Sequence, residues 1–263
     1  MSEEERFRTV LSGPNPNHPA IEKTSSRIPG ALPDILCADA VSIYMRHLAF
    51  APDLSTPITP ELLSWATTGP TRIIAGSGFL DGTLFNRTTW QYGPRIDRSQ
   101  MLLVDGRDVY GLRVYSGISW NCPLYKVGEG YLLFRQNVGK PVPKPSAREA
   151  RILGRIPYER YTWHTRVPAR VSAMVLAGAR RADAAEKCLF AAGAPDEIDP
   201  DDPLGTFEAR KGARLFALAG ETGEILDEQL LESPPVWDGM IVCRRRLYVA
   251  LQNGTLMCLG APR

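Results

Sequence analysis

The sequence predicts an all-β chain: a β-propeller built of four-stranded antiparallel blades, of which about four or five can be recognised. Three observations predict it. From about residue 32 the chain reads as short runs of β-forming residues separated by Gly, Asp and Asn, and helix signals are scarce. The last stretch strings such runs together with turn residues suited to tight hairpins. Apolar residues make up 44% and charged residues 23%, the composition of a globular chain able to bury a core.

Residues 1–30 open on an acidic segment and continue as Gly13-Pro14-Asn15-Pro16-Asn17-His18-Pro19, where repeated proline removes the donors that a helix or a ladder requires. This segment is expected to be an extended arm, and residues 31–263 the propeller repeat region. Within that region, residues 35–50, 101–112 and 171–176 each place an apolar run where an inner strand of a blade would lie. The clearest unit is the last. Arg214-Leu215-Phe216-Ala217-Leu218 and the run 225–231 flank Glu221-Thr222-Gly223; further on, 240–243 and 247–251 precede Gln252-Asn253-Gly254 and the run 256–259. Two hairpins follow, 215–231 and 240–259, with Gly or Asn where a tight turn demands positive φ. Together they span roughly the 45 residues of one blade. Closure of a ring within this chain is not assured, and an unclosed ring leaves edge strands to be covered, paired or charged.

Two short helices are expected to interrupt the strands. Thr59-Pro60-Glu61-Leu62-Leu63-Ser64-Trp65 offers an N-cap and a proline at the first helical position. Asp202-Pro203-Leu204 onward to Gly212 reads the same way, with Gly212 as the stop. Val138-Gly139-Lys140-Pro141-Val142-Pro143-Lys144-Pro145 reads as a polyproline-like connector.

Charge and cysteine usage narrow the function classes. The 31 Lys and Arg nearly cancel the 29 Asp and Glu, and a net charge of +2 gives no field to recruit nucleic acid or an anionic membrane. No run approaches the roughly 20 apolar residues of a membrane span. Met1-Ser2-Glu3-Glu4-Glu5-Arg6 has the wrong charge for a secretory leader, so these residues carry no export signal; localisation stays open, since a longer parent protein could be exported. The five cysteines are scattered, with no CxxC and no adjacent pair, which speaks against a metal cluster or a redox dithiol. Cys37, Cys188, Cys243 and Cys258 lie in apolar or strand-like surroundings and are expected to act as small core residues.

The C-terminal segment from Gly212 through Thr222-Gly223-Glu224, Ser233-Pro234-Pro235-Val236-Trp237-Asp238-Gly239-Met240 and Arg246-Leu247-Tyr248-Val249-Ala250 resembles the PQQ-binding-like β-propeller repeat proteins of bacteria. Upstream, Leu32-Pro33-Asp34-Ile35-Leu36, Ser42-Ile43-Tyr44-Met45-Arg46 and Gly78-Phe79-Leu80-Asp81 fit the same resemblance. It implies a propeller of the quinoprotein alcohol dehydrogenase-like superfamily, often one part of a larger exported protein. It does not imply bound quinone, since fold does not dictate function. Enzymes of that class are known for a calcium ion, an aspartate base and often a vicinal disulfide, whereas no two cysteines here are adjacent. Nor does a blade-docking tryptophan follow the turn in Thr222-Gly223-Glu224-Ile225-Leu226-Asp227.

Candidate ligand-binding residues are Arg87, Trp90, Tyr92 and Arg95, which mix aromatic platforms with cations, and the pair Trp163 and His164. The plainer alternative for the first four is aromatic packing between blades with the arginines in water. No nucleophile motif accompanies His164, so no catalytic residue is assigned. The acidic loop Asp196-Glu197-Ile198-Asp199-Pro200-Asp201-Asp202 has oxygen ligands but lacks the spacing and glycine of a calcium loop, and no metal is assigned. Arg244-Arg245-Arg246 reads as a solvated hairpin tip. The function expected is therefore a non-catalytic binding or scaffold module with a protein or carbohydrate partner, needing no cofactor and able to associate through open blade edges. The alternative is a quinoprotein-type, PQQ-dependent oxidoreductase, which would require convergent carboxylates and a calcium site.

Overall fold

The computed structural model describes residues 36–38, 43–45, 48–53, 73–77, 89–92, 99–114, 127–140, 160–178 and 187–260. The expected N-terminal arm, the helix at 59–65, Arg87, Arg95 and the connector beyond Lys140 lie outside the described residues. The described chain is all-β, and it divides into two compact units, residues 1–102 and 103–263.

In the first unit, β1 (Leu36–Ala38), β2 (Ile43–Met45) and β3 (Leu48–Phe50) form an antiparallel meander in which Cys37 pairs with Tyr44 and Tyr44 with Ala49. A separate hairpin joins β4 (Ile73–Ser77) to β5 (Thr89–Tyr92), with a register shift between Ala75 and Ser77. Ser99 extends it by a bridge to Trp90, each backbone N–H donating to the other's carbonyl at 2.6 and 2.8 Å.

The second unit holds three antiparallel sheets, each a meander of sequence-adjacent strands. The first contains β6 (Leu102–Asp105), β7 (Asp108–Arg113), β8 (Tyr131–Asn137) and β9 (Trp163–Val167). The second contains β10 (Ala169–Ala177), β11 (Cys188–Pro195), β12 (Ala213–Ala219) and β13 (Ile225–Leu231). The third contains β14 (Pro235–Cys243), β15 (Arg246–Leu251) and β16 (Leu256–Leu259), one strand fewer than its neighbours.

The turns form where the sequence supplies them. Gly223 has φ 74° and Gly254 φ 87°, the left-handed values that their hairpins were expected to need. Side-chain alternation gives each sheet two faces. On one face of the second sheet Ala173, Ala192, Ala213 and Leu215 pack against Met240, Leu247, Val249 and Leu251 of the third, so small residues on one wall seat large ones on the other. Phe216 and Leu218, between those positions on β12, are buried on the opposite face.

Two expectations fail here. Residues 203–211 form successive turns, not a helix. Glu208 N–H donates to the Leu204 carbonyl and Arg210 N–H to Gly205, but Ala209 at φ 63° ends any helical run before a second turn can build. A segment this short, carrying Gly205 and Thr206, has too little propagation to offset nucleation. Asp202 does not cap; its carboxylate pairs with Arg210, and with Lys211 at 3.3 Å, pinning the loop from across. Secondly, Cys243 and Cys258 are exposed, and Cys188 is only half-buried. Both exposed thiols lie on the third sheet, among residues such as Ile241 and Leu256 that face away from its packed side, so strand-like sequence surroundings did not make them core residues.

Candidate functional site

Two joints hold the three sheets of the second unit in register, and a cleft opens beside one of them. The first joint centres on Trp163, which starts β9. Its side chain is 7% exposed, and its indole N–H donates to the Gly220 carbonyl at 2.9 Å, in the turn between β12 and β13 of the next sheet. Gly223 lies beneath the ring: a Cβ there would come within 2.3 Å of the indole, so only glycine permits this contact. Two residues along β9, Thr165 donates its hydroxyl to the Gly223 carbonyl at 2.6 Å. A tryptophan does therefore dock on the Thr222-Gly223 turn, but it comes from the preceding sheet, 57 residues before its acceptor.

Charge closes the same joint. Arg135 on β8 reaches Asp108 on β7 at 2.8 Å and Glu221 in the β12–β13 turn at 2.5 Å, and its guanidinium lies 5.8 Å from the centre of the Tyr110 ring. Burial would raise the Asp108 carboxyl, but hydrogen bonds from Arg135 and from the Asn137 amide at 2.7 Å outweigh it and hold the group below the ordinary aspartate value. The Arg135 guanidinium is pushed the other way: burial would lower it, and its two carboxylate partners raise it further above its usual value. Lys187 adds an ion pair to Asp105 at 2.5 Å. At the far end of the joint, the buried Asp196 carboxylate accepts the backbone N–H groups of Gly128 and Gly130 at 3.0 and 2.7 Å. The acidic loop thus spends its carboxylates internally: Asp196 on backbone amides, Asp199 on Lys211 at 2.7 Å, and Asp202 on Arg210 and Lys211.

The second joint is the apolar packing between β10–β13 and β14–β16, tied at one end by the Ser172 hydroxyl donating to the Pro235 carbonyl at 3.1 Å. Toward the other end the sheets part. Ala177, Gly178 and Ala217 give one wall no bulk, and between it and the third sheet lies a cleft of about 1220 Å³. Phe190, Leu215, Val242, Leu247 and Leu259 line its depth. Arg244, Arg245 and Arg246 line it on the side of the third sheet, with Asp227 and Gln229 of β13 on the side of the second. Because Cys243 pairs with Arg246, the hairpin loop consists of Arg244 and Arg245 alone, at φ 50° and 64°. Such a loop ordinarily takes Asn-Gly, and each arginine held there costs roughly 1–2 kcal/mol.

Of the residues singled out from sequence, Trp90 and Tyr92 sit half-buried two positions apart on β5, hence on one face of that hairpin, paired with Ala75 and Ile73. Trp163 and His164 are neighbours on β9 and face opposite sides: the indole fills the joint, while His164 is exposed, its ring 6.1 Å from that of Tyr161. Trp90 and Tyr92 belong to the first unit, Trp163 and His164 to the second. The arginine-lined cleft was not anticipated. Its only sequence signal was the tri-arginine run, and nothing local revealed the opposing wall supplied by β10, β12 and β13. Compared with known families and with curated proteins, the chain matches no family model and no curated protein.

Proposed function

We propose that the chain is a non-catalytic β-propeller-type binding and scaffold module that works within a larger assembly. The observation that carries this reading is the open third sheet. It has three strands where the two sheets before it have four, and its outer face presents Ile241 at 61% exposure and Leu256 at 68%. Burying one such side chain is worth about 1.5–3 kcal/mol, so a partner that adds a strand beside β16 or a sheet over this face gains the same energy that joins the second and third sheets. The partner that fits is a protein contributing β-structure. Successive antiparallel sheets with tight joints supply the rigid frame such a role needs.

Sedimentation velocity over a rising concentration series tests the reading. The isolated chain should associate, and the double substitution Ile241→Lys, Leu256→Lys should hold it monomeric with an unchanged circular dichroism spectrum. Wild-type chain that stays monomeric throughout would remove the basis for an open docking face. Thermal stabilisation by calcium plus pyrroloquinoline quinone would turn the reading to the oxidoreductase alternative instead.

A further inference from the structure

We infer that the cleft between β10–β13 and β14–β16 is a binding site for a small organic anion with an apolar body, its acidic head held by Arg244, Arg245 and Arg246. The inference is independent of the open sheet face. Three features converge on it. The first is shape: a cleft of about 1220 Å³ with an aliphatic and aromatic floor accommodates a drug-sized ligand. The second is charge. Three consecutive guanidinium groups line the cleft, and among the described residues Arg244 and Arg245 enter no ion pair, so their donors are available to a carboxylate, sulfonate or phosphate. The third is backbone cost: both loop residues of this hairpin are arginines in left-handed conformation, where Asn-Gly would form the same turn without strain. Strain retained beside a cleft is the pattern of a recognition site.

The facing wall refines the ligand class. Asp227 stands opposite the arginines and would repel an extended polyanion, and the apolar depth offers nothing to a chain of phosphates or a hydrophilic sugar acid. A single acidic head on an aromatic or acyl body satisfies both walls.

The test uses anilinonaphthalene sulfonate, an aromatic body with one acidic head, titrated into the full chain and followed by fluorescence and calorimetry. Its neutral analogue phenylnaphthylamine, inorganic sulfate and tripolyphosphate serve as comparisons. Saturable binding of one molecule per chain is expected, weaker by about tenfold or more for the neutral analogue. The double substitution Arg244→Asn, Arg245→Gly should weaken binding by a similar factor while leaving the unfolding transition cooperative. Ala217→Phe, which fills the cleft and keeps the arginines, should weaken it too. Equal affinity in either variant, equal affinity for the neutral analogue, or displacement of the probe by tripolyphosphate at lower concentration than by excess sulfonate would overturn the inference.

Discussion

The indole of Trp163 and the carbonyl of Gly220 form a buried hydrogen bond of 2.9 Å that crosses from one sheet to the next. Trp163→Phe keeps most of the apolar area but leaves that carbonyl buried and unpaired, a loss of about 1–3 kcal/mol; Trp163→Ala should lose about 3–5 kcal/mol. Urea unfolding measures both. Gly223→Ala should be as damaging as the phenylalanine substitution, since its Cβ strikes the indole and its φ of 74° disfavours any side chain.

Asp108 gives the same joint a pH dependence. Its folded carboxyl titrates below the ordinary aspartate value, so the stabilisation from its ionised form is complete above about pH 4 and is lost as the pH falls through the lower, folded value. At neutral pH Asp108→Asn should cost up to about 3 kcal/mol, because it leaves the nearly buried Arg135 with Glu221 alone. The gap between the two proteins should then close on acidification below about pH 4, read from unfolding curves collected across pH. A gap that widens toward acid would refute the assignment.

Replacing Arg244-Arg245 by Asn-Gly should raise stability by about 1–2 kcal/mol, seen as a higher urea midpoint with an unchanged slope. The substitution relieves two left-handed arginines and removes no contact that holds the sheets together.

The thiols should alkylate in a fixed order. Cys243 and Cys258 are exposed, whereas burial raises the Cys188 thiol above its usual range and limits access to it. Timed iodoacetamide labelling with peptide mapping should find Cys243 and Cys258 modified well before Cys188.

Local chemistry was legible in the sequence, and long-range pairing was not. Gly223 and Gly254 announced their turns because a hairpin loop needs a left-handed residue wherever it falls. Residues 101–112 and 171–176 announced strands by apolar runs, and both became strands. The docking of Trp163 was hidden because tryptophan carries no mark of the sheet it will touch, and its acceptor lies 57 residues on. The expected helix from Asp202 to Gly212 failed for a related reason: Asp202 has the chemistry of a cap, but Lys211 and Arg210 compete for it across the loop. The cleft shared this invisibility, since Arg244 to Arg246 form only one of its sides. Exposure of Cys243 and Cys258 depended on what covers a sheet face, which strand periodicity alone does not reveal.

Every ladder in the second unit joins strands that follow one another in sequence, and none of the three sheets borrows a strand from another. Backbone hydrogen bonding is therefore completed within contiguous segments, and the segments are linked to each other chiefly by side chains and single turn contacts. Slow hydrogen exchange should divide along those same lines, with the residues of β14–β16 opening together while the ladders before them stay intact. A lineage carrying such a chain could lengthen or shorten it by whole sheets, refitting one joint each time and rewriting no existing strand pair.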